Sequence, residues 1–310
     1  MLIEQAITHL KAGNLIGLPT ETVYGLAADA KNEAAILKVF AAKGRPADHP
    51  LIVHISSIAE MEEWAIHIPK AAYTLAEKFW PGPLTLILEK ASHVSKLITG
   101  GQDTIALRIP NHPLALQLLQ QYGGGLVAPS ANRFGRISPT DEAAVIAELA
   151  EKVALVLPGG RTEIGIESTI LDVHQHPFVL MRQGMLSQVE LETFLGEKIA
   201  LPTAKNTLRS PGLLASHYAP LTPLHLFTHP ENHPYPSAIV LSKRPRPKAL
   251  PPHTEWWKMP EKPDAYAHEL YAMLRQADAT QKAVILVETL PQSPKWKAIL
   301  DRLNRAATPS

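Results

Sequence analysis

The chain has 310 residues, a formal net charge of +1, and 45% hydrophobic against 19% charged residues. That balance belongs to a folded globular protein, long enough for one large domain or two ordinary ones, with no overall field that draws it to nucleic acid or a membrane. Cysteine is absent, which removes disulfides, thiolate metal sites, iron–sulfur clusters and cysteine nucleophiles.

Met1-Leu2-Ile3-Glu4-Gln5 places an acid where a signal peptide carries a base, and no apolar run approaches the ~18 residues of a membrane span. A cytoplasmic protein without membrane association is expected. The amphipathic run Leu2–Ala12 predicts a helix ended by Gly13, followed by a buried strand at Leu15–Leu18. A helix over Asn32–Ala42 and a strand at Leu51–Ile55 come next. Ala71–Phe79 reads as a helix stopped by Pro81-Gly82-Pro83. Strands follow at Leu84–Leu88 and Thr104–Ile109, then a helix over Pro113–Gln121. Further strands are expected at Leu126–Ala128, Val153–Leu157, Ser168–Val173 and Phe178–Met181, with a helix capped by Thr140 or Asp141 between them. This alternation predicts an α/β domain with a twisted sheet.

All 17 glycines lie at or before Gly212, while 16 of the 28 prolines fall in residues 201–310. The expected division is therefore a catalytic domain over 1–200, a Pro-rich linker over 201–222 and a small α/β domain over 223–310. The last of these has strands at Leu224–Phe227, Ala238–Leu241 and Ala283–Val287 and helices at Asp264–Ala277 and Lys295–Ala306. Glycine eases the approach of backbone N–H groups to an anion, so phosphate chemistry is expected in the first part. The tail is expected to help the linker cover the site and exclude water.

Familiar phosphate loops, H-E-x-x-H and G-x-S-x-G are all missing, and the 14 histidines show no metal-ligand spacing. Polar and cationic residues instead recur after expected strands, where α/β sheets place ligands. Thr20-Glu21-Thr22-Val23-Tyr24-Gly25 follows the first strand; by itself it is equally a turn with capping hydroxyls. Lys43-Gly44-Arg45-Pro46 is either a favourable helix end or a cationic wall for phosphates. His54 alone reads as an ordinary buried histidine. Arg108 ends an apolar strand, so it faces solvent, pairs with a protein acid or receives an anionic ligand. Ser130-Ala131-Asn132 is a turn or a ligand loop. Thr140 caps a helix, meets an anion, or does both. Glu167-Ser168-Thr169 and Met181-Arg182-Gln183-Gly184 add hydroxyls and a fourth cation.

Thr20-Glu21-Thr22-Val23-Tyr24-Gly25-Leu26, Lys43-x-Arg45-Pro46, Trp80-Pro81-Gly82-Pro83-Leu84-Thr85, Ser130-x-Asn132, Glu167-Ser168-Thr169 and Arg182-x-Gly184, in this order, resemble the YrdC/YciO family throughout residues 1–200. Ser210-Pro211-Gly212 with His217-Tyr218-Ala219-Pro220 resembles the linker of its two-domain members. The resemblance implies a twisted mixed-sheet YrdC-like domain followed by a smaller, Rossmann-like α/β domain. It also implies synthesis of threonylcarbamoyl-AMP from L-threonine, bicarbonate and ATP with release of pyrophosphate. The product would feed threonylcarbamoyladenosine formation in tRNA, completed by downstream tRNA threonylcarbamoyl transferase proteins.

Carried over position by position, Thr22, His54, Arg108, Ser130 and Ser168 would surround the threonine. Arg45, His49, Thr104, Asn132, Thr140, Arg182 and Tyr218 would contact ATP, with Lys43 and Arg45 in the catalytic role. Mg²⁺ would be bound mainly through the phosphates. The substrate's own carbamate is the nucleophile, so cations and positioning are what the reaction needs. Ala27 and Leu213 depart from the family pattern in place of a usual Gly and a common Met, and neither removes a polar group. Two rival readings are a nucleic-acid-binding module, in which the same cations grip RNA weakly, and a carbamoyl-transfer domain with another acceptor.

Overall fold

The computed structural model describes residues 1–203, 208–209, 217–229 and 233–308; Ser210, Pro211, Gly212 and Leu213 lie outside the described residues. Among these, ten strands build one mixed sheet. Its order from one edge is Val179–Arg182, Thr169–Asp172, Leu84–Lys90, Thr104–Arg108, Ile52–His54, Leu126–Val127, Gly25–Asp29, Ile16–Leu18 and Leu155–Val156. The short Ala65–Ile66 strand lies beside Leu84–Lys90.

Strand side chains alternate between faces, and the central strands show this directly. Val53, Leu86, Leu107, Leu171 and Leu180 pack into the main core with Ile36, Val39 and Phe40 of helix Glu33–Lys43 and with Ala72, Leu75 and Ala76 of helix Lys70–Phe79. Their neighbours Ile52, Ile87, Ala106, Ile170, Val179 and Met181 form an apolar floor on the opposite face, covered by Ala200 and Leu208. Helices Leu2–Lys11 and Pro113–Tyr122 close a third cluster against Ile16, Leu18, Ala27 and Leu126.

The C-terminal sheet is parallel, in the order Leu224–Phe227, Val284–Glu288, Ala238–Ser242, Thr254–Lys258. Its two central strands, Ala238–Ser242 and Val284–Glu288, read as apolar runs because both faces are covered, one of them by helices Pro263–Ala279 and Lys297–Ala307. That core also takes in Val23, Ile137 and Ile166 from the first part of the chain, so the two sheets share a buried seam. Gly165 makes the close approach possible. It sits at φ +86°, and a Cβ there would lie 2.5 Å from the Ala267 carbonyl of the longer helix.

Most elements fall within a residue or two of their expected bounds; the short helices Met61–Trp64 and Lys96–Thr99 and strand Ala65–Ile66 are additions, and other differences follow. The Tyr24-Gly25 segment opens a strand, Gly25–Asp29, rather than remaining a turn, because Ala27 and Ala28 are small enough to lie buried between neighbouring strands. Helix Gln188–Leu195 was not expected, although Ser187 and Glu190 form a full capping box at its start. Strand Thr254–Lys258 was hidden by the prolines on either side. Val153–Leu157 shortens to Leu155–Val156. Asp141, not Thr140, caps helix Glu142–Leu149 by accepting from the Ala144 N–H at 2.7 Å. No helix among the described residues is long and apolar enough to cross a membrane.

Candidate active site

Strands Ile52–His54 and Thr104–Arg108 run parallel with His54 opposite Arg108, so their carboxyl ends deliver an imidazole and a guanidinium to one rim. A small, partly enclosed cavity opens there. Thr22, His54, Arg108, Ser130 and Ser168 line it together with Arg45, Arg182 and Tyr218. The five residues assigned to threonine and three of those assigned to the nucleotide therefore share one enclosure.

Helix Glu33–Lys43 ends on Gly44 in the left-handed region, φ 62°, which turns the chain between the two cations. Lys43 is buried and donates to the main-chain carbonyls of Ser130 and Asn132, the latter at 2.6 Å. It stands behind the cavity wall rather than on it. Burial, with Arg45 alongside, holds the Lys43 ammonium well below its ordinary value of 10.5. Arg45 lines the cavity, donates to the Pro50 carbonyl at 2.9 Å and has a buried Nε without a hydrogen-bond partner among the described residues. Burial brings its guanidinium down to about 10, which leaves it charged at neutral pH.

Of the three fates open to Arg108, the fold selects pairing with a protein acid. Its Nη2 lies 2.7 Å from Glu21 Oε1, both groups buried, although neither atom makes a well-directed hydrogen bond. Nη1 donates to Thr22 Oγ1 at 2.9 Å and Nε to the Gly82 carbonyl at 3.1 Å. The guanidinium still faces the cavity, now with its net charge offset and its plane fixed. Arg182, which also lines the cavity, grips Ser168 through the main-chain oxygen at 2.9 Å and the hydroxyl at 3.0 Å. That hydroxyl also meets Thr85 Oγ1 at 2.7 Å.

Both cavity histidines are neutral. Burial, then the charge of Arg108, pushes His54 down to about 3. Burial pushes His217 to about 3 as well, against the raising pull of Glu167 and with help from the charges of Lys43, Arg45 and Arg302. Each keeps a buried Nδ1 without a hydrogen-bond partner among the described residues.

Thr104, His49, Asn132 and Thr140 do not line the cavity. Thr104 occupies the same strand face as Arg108, four residues and so about 13 Å away, beyond Ala106 of the apolar floor. Asn132 turns its amide nitrogen to the Arg133 and Arg136 carbonyls, while its Oδ1 and the Thr140 hydroxyl stay buried without partners among the described residues. His49 packs edge-on against Phe134, 5.3 Å between ring centroids. Phe134 was missed by sequence reasoning. It also meets His217 at 5.9 Å and Arg45 at 5.6 Å, tying the cation loop to the linker; its place two residues after Asn132 of Ser130-x-Asn132 was the available signal.

Tyr218 is the linker's contribution. It is buried at φ 62°, in a region that side chains avoid, and its hydroxyl has no hydrogen-bond partner among the described residues. Arg302 lies over its ring at 5.1 Å. Glu167 completes this wall. It accepts from Ser138 Oγ at 2.6 Å, from Arg302 Nε at 2.7 Å and from the Tyr271 hydroxyl at 3.1 and 3.2 Å. Burial alone would raise its carboxyl, but Arg302 and then Arg182 hold it at about 2.

With this geometry in view, the likeness to known proteins extends over the whole chain. The Sua5/YciO/YrdC family model, described as telomere recombination, matches residues 8–184, and the model for the threonylcarbamoyl-AMP synthase C-terminal domain matches residues 185–308. Threonylcarbamoyl-AMP synthase of Pyrococcus abyssi is 37% identical, over 98% of this chain and 94% of its own. That of Bacillus subtilis is 36% identical, over 98% of this chain and 92% of its own. The crystal structure of P. abyssi Sua5 complexed with L-threonine superposes with a TM-score of 0.90 at 35% identity, covering 98% of this chain and 94% of that one. The chain belongs to the Sua5/YciO/YrdC family, in the two-domain form that carries the threonylcarbamoyl-AMP synthase C-terminal domain.

Proposed function

We infer that this chain is a threonylcarbamoyl-AMP synthase, a nucleotidyltransferase that converts L-threonine, bicarbonate and ATP to threonylcarbamoyl-AMP and pyrophosphate. The observation that carries the reading is the meeting of Thr22, His54, Arg108, Ser130 and Ser168 with Arg45, Arg182 and Tyr218 around one cavity. Full-length likeness to synthases supports it.

The threonine amine attacks the bicarbonate carbon, a C–O bond breaks and the hydroxyl leaves as water with a proton from the amine, giving the carbamate. A carbamate oxygen then attacks the α-phosphate, and the bond from that phosphorus to the bridging oxygen breaks to release pyrophosphate. No side chain has to act as nucleophile. What the chain supplies is orientation and positive charge. Arg108, its plane fixed by Glu21 and Thr22, orients the amino acid with the Ser130 and Ser168 hydroxyls. His54, neutral, adds a polar contact without a competing positive charge. Arg45 and Arg182 receive phosphates from two sides, and Lys43 holds the Ser130–Asn132 main chain beside them. Thr104, His49, Asn132 and Thr140 lie off the cavity, so their contact with the nucleotide requires Ala200 and Leu208 to leave the apolar floor. Tyr218 closes the mouth.

Among the described residues no three His, Asp or Glu side chains gather into a metal cage, and Glu167, the one carboxylate on the cavity wall, is already fully bonded. The described residues thus bring no carboxylate or imidazole cluster to a Mg²⁺ ion. A Mg²⁺ that enters does so on ATP phosphates and water.

The product is handed to a tRNA threonylcarbamoyl transferase in the cytoplasm. The test is pyrophosphate release measured with ATP and bicarbonate, with and without L-threonine. Threonine-dependent release is expected; release that ignores threonine, or none with the folded protein, overturns the assignment.

A further inference from the structure

Glu167 is a negative charge on the wall of a cavity that must attract phosphates. The other charged residues on that wall are Arg45, Arg108 and Arg182, and Arg108 is already answered by Glu21. An acid left loose here would neutralise a cation and repel the ligand. It is not loose. Two of its three partners come from the far end of the chain: Tyr271, 104 residues away, and Arg302, 135 residues away. Arg302 is 1% exposed. Its Nη1 is turned to Asp301 at 2.8 Å, and its guanidinium lies over the Tyr218 ring. An ordinary interface ion pair has no need to stand beside the ligand cavity or to underpin the residue that closes it.

We propose that Arg302, with Tyr271, is a positioning residue of the active site that ties up Glu167 so the cavity keeps its positive field for a polyphosphate. The docked C-terminal part thereby makes the pocket fit for a nucleotide, and does so without touching it. Without Arg302, Glu167 turns to the cations of the wall, Arg182 foremost, since the charge of Arg182 already acts on it. The proposal rests on the synthase reading, because it takes ATP as the occupant.

The test is calorimetric binding of ATP, inorganic pyrophosphate, adenosine and L-threonine to the full chain and to R302M, E167Q and E167Q/R302M. R302M is expected to weaken ATP and pyrophosphate about tenfold, with little change for the uncharged adenosine or for threonine. Adding E167Q is expected to restore most of the loss, since the stray charge is then gone. Equal weakening of all four ligands, or no rescue in the double variant, makes Arg302 a structural residue only and overturns the proposal. If R302M does not fold, R302Q and E167Q/R302Q replace it, with the same ordering of ligands expected and the same outcomes decisive. A wild-type chain that binds neither ATP nor pyrophosphate sinks the synthase reading itself, a result distinct from wild-type binding that R302M leaves untouched.

Discussion

The Lys43 ammonium donates across 2.6 Å to the main-chain carbonyl of Asn132, joining stretches 89 residues apart in the sequence. This bond, with its companion to Ser130, means that Lys43 builds the wall as well as charging it. Lys43→Ala is expected to lower threonine-dependent pyrophosphate release by about 10- to 150-fold, the worth of one charge-assisted bond of about 1.5–3 kcal/mol. The circular dichroism melt should still show a folded chain. Lys43→Arg is expected to recover little, because a planar guanidinium does not match two carbonyls set for a compact ammonium. Near-normal release by the alanine variant removes Lys43 from the reaction.

Because burial and Arg45 hold the Lys43 ammonium well below 10.5, a bound phosphate must raise it again. ATP binding is therefore expected to take up protons at a pH where Lys43 is partly deprotonated in the free protein. Titrations in buffers of different ionisation enthalpy read that uptake directly, and it should vanish in Lys43→Met. Proton release in place of uptake contradicts the assignment.

Acid is expected to destabilise the fold in two stages. His54 and His217 fall from 6.5 to about 3 on folding, so between those values the unfolded chain binds more protons and stability is lost as pH drops. Glu167 falls from 4.5 to about 2. Its contribution is present above 4.5 and is lost as pH falls toward 2, of the order of 3 kcal/mol at full protonation. The urea midpoint should therefore decline below pH 6.5 and more steeply below 4.5. His217→Gln should flatten the first stage. A midpoint constant from pH 7 to pH 5 counts against both buried histidines.

Most of the candidate site could be read in advance because its parts lie at strand ends, where polar residues interrupt apolar runs. Thr22, Arg108, Ser130 and Ser168 are all of that kind. What could not be read is pairing in space. Nothing local to Arg108 singles out Glu21 as its partner, and the separation of Thr104 from the cavity becomes visible only when the strand runs its length across the sheet. Arg302 had a signal that went unused. It sits three residues after Ile299 and four before Ala306, on the buried stripe of its helix, where an arginine must find a carboxylate. Strand Gly25–Asp29 was masked by its own small residues, since alanine carries little strand preference.

Gly165 lets the first part of the chain meet helix Pro263–Ala279, and alanine there meets both a strained φ and the Ala267 carbonyl. Gly165→Ala is expected to cost about 1–3 kcal/mol and to lower the melting temperature by several degrees. Since the seam also carries Tyr271 and Arg302, ATP affinity should fall with it. An unchanged melt means that the seam yields without cost.

The end of the linker is held from both sides. Ala219 N–H donates to the Gly135 carbonyl at 2.9 Å. Asp278 on the C-terminal helix accepts from the N–H groups of Leu221 at 2.9 Å and Thr222 at 2.7 Å, and pairs with Arg136 at 3.3 Å. One carboxylate thus fixes the chain leaving Tyr218 and binds it to the same loop that carries Asn132 and Phe134. Asp278→Ala removes all three contacts but touches neither cavity nor ligand. Amide exchange at residues 217–222 should rise while the two sheets stay protected. If Tyr218 shields the reaction, ATP hydrolysis without threonine should rise relative to synthesis, because water then competes with the carbamate. Asp278→Asn, which keeps one acceptor oxygen, should fall between the two. Faster exchange with unchanged coupling of ATP use to threonine separates the clasp from the chemistry and leaves Tyr218 without a shielding role.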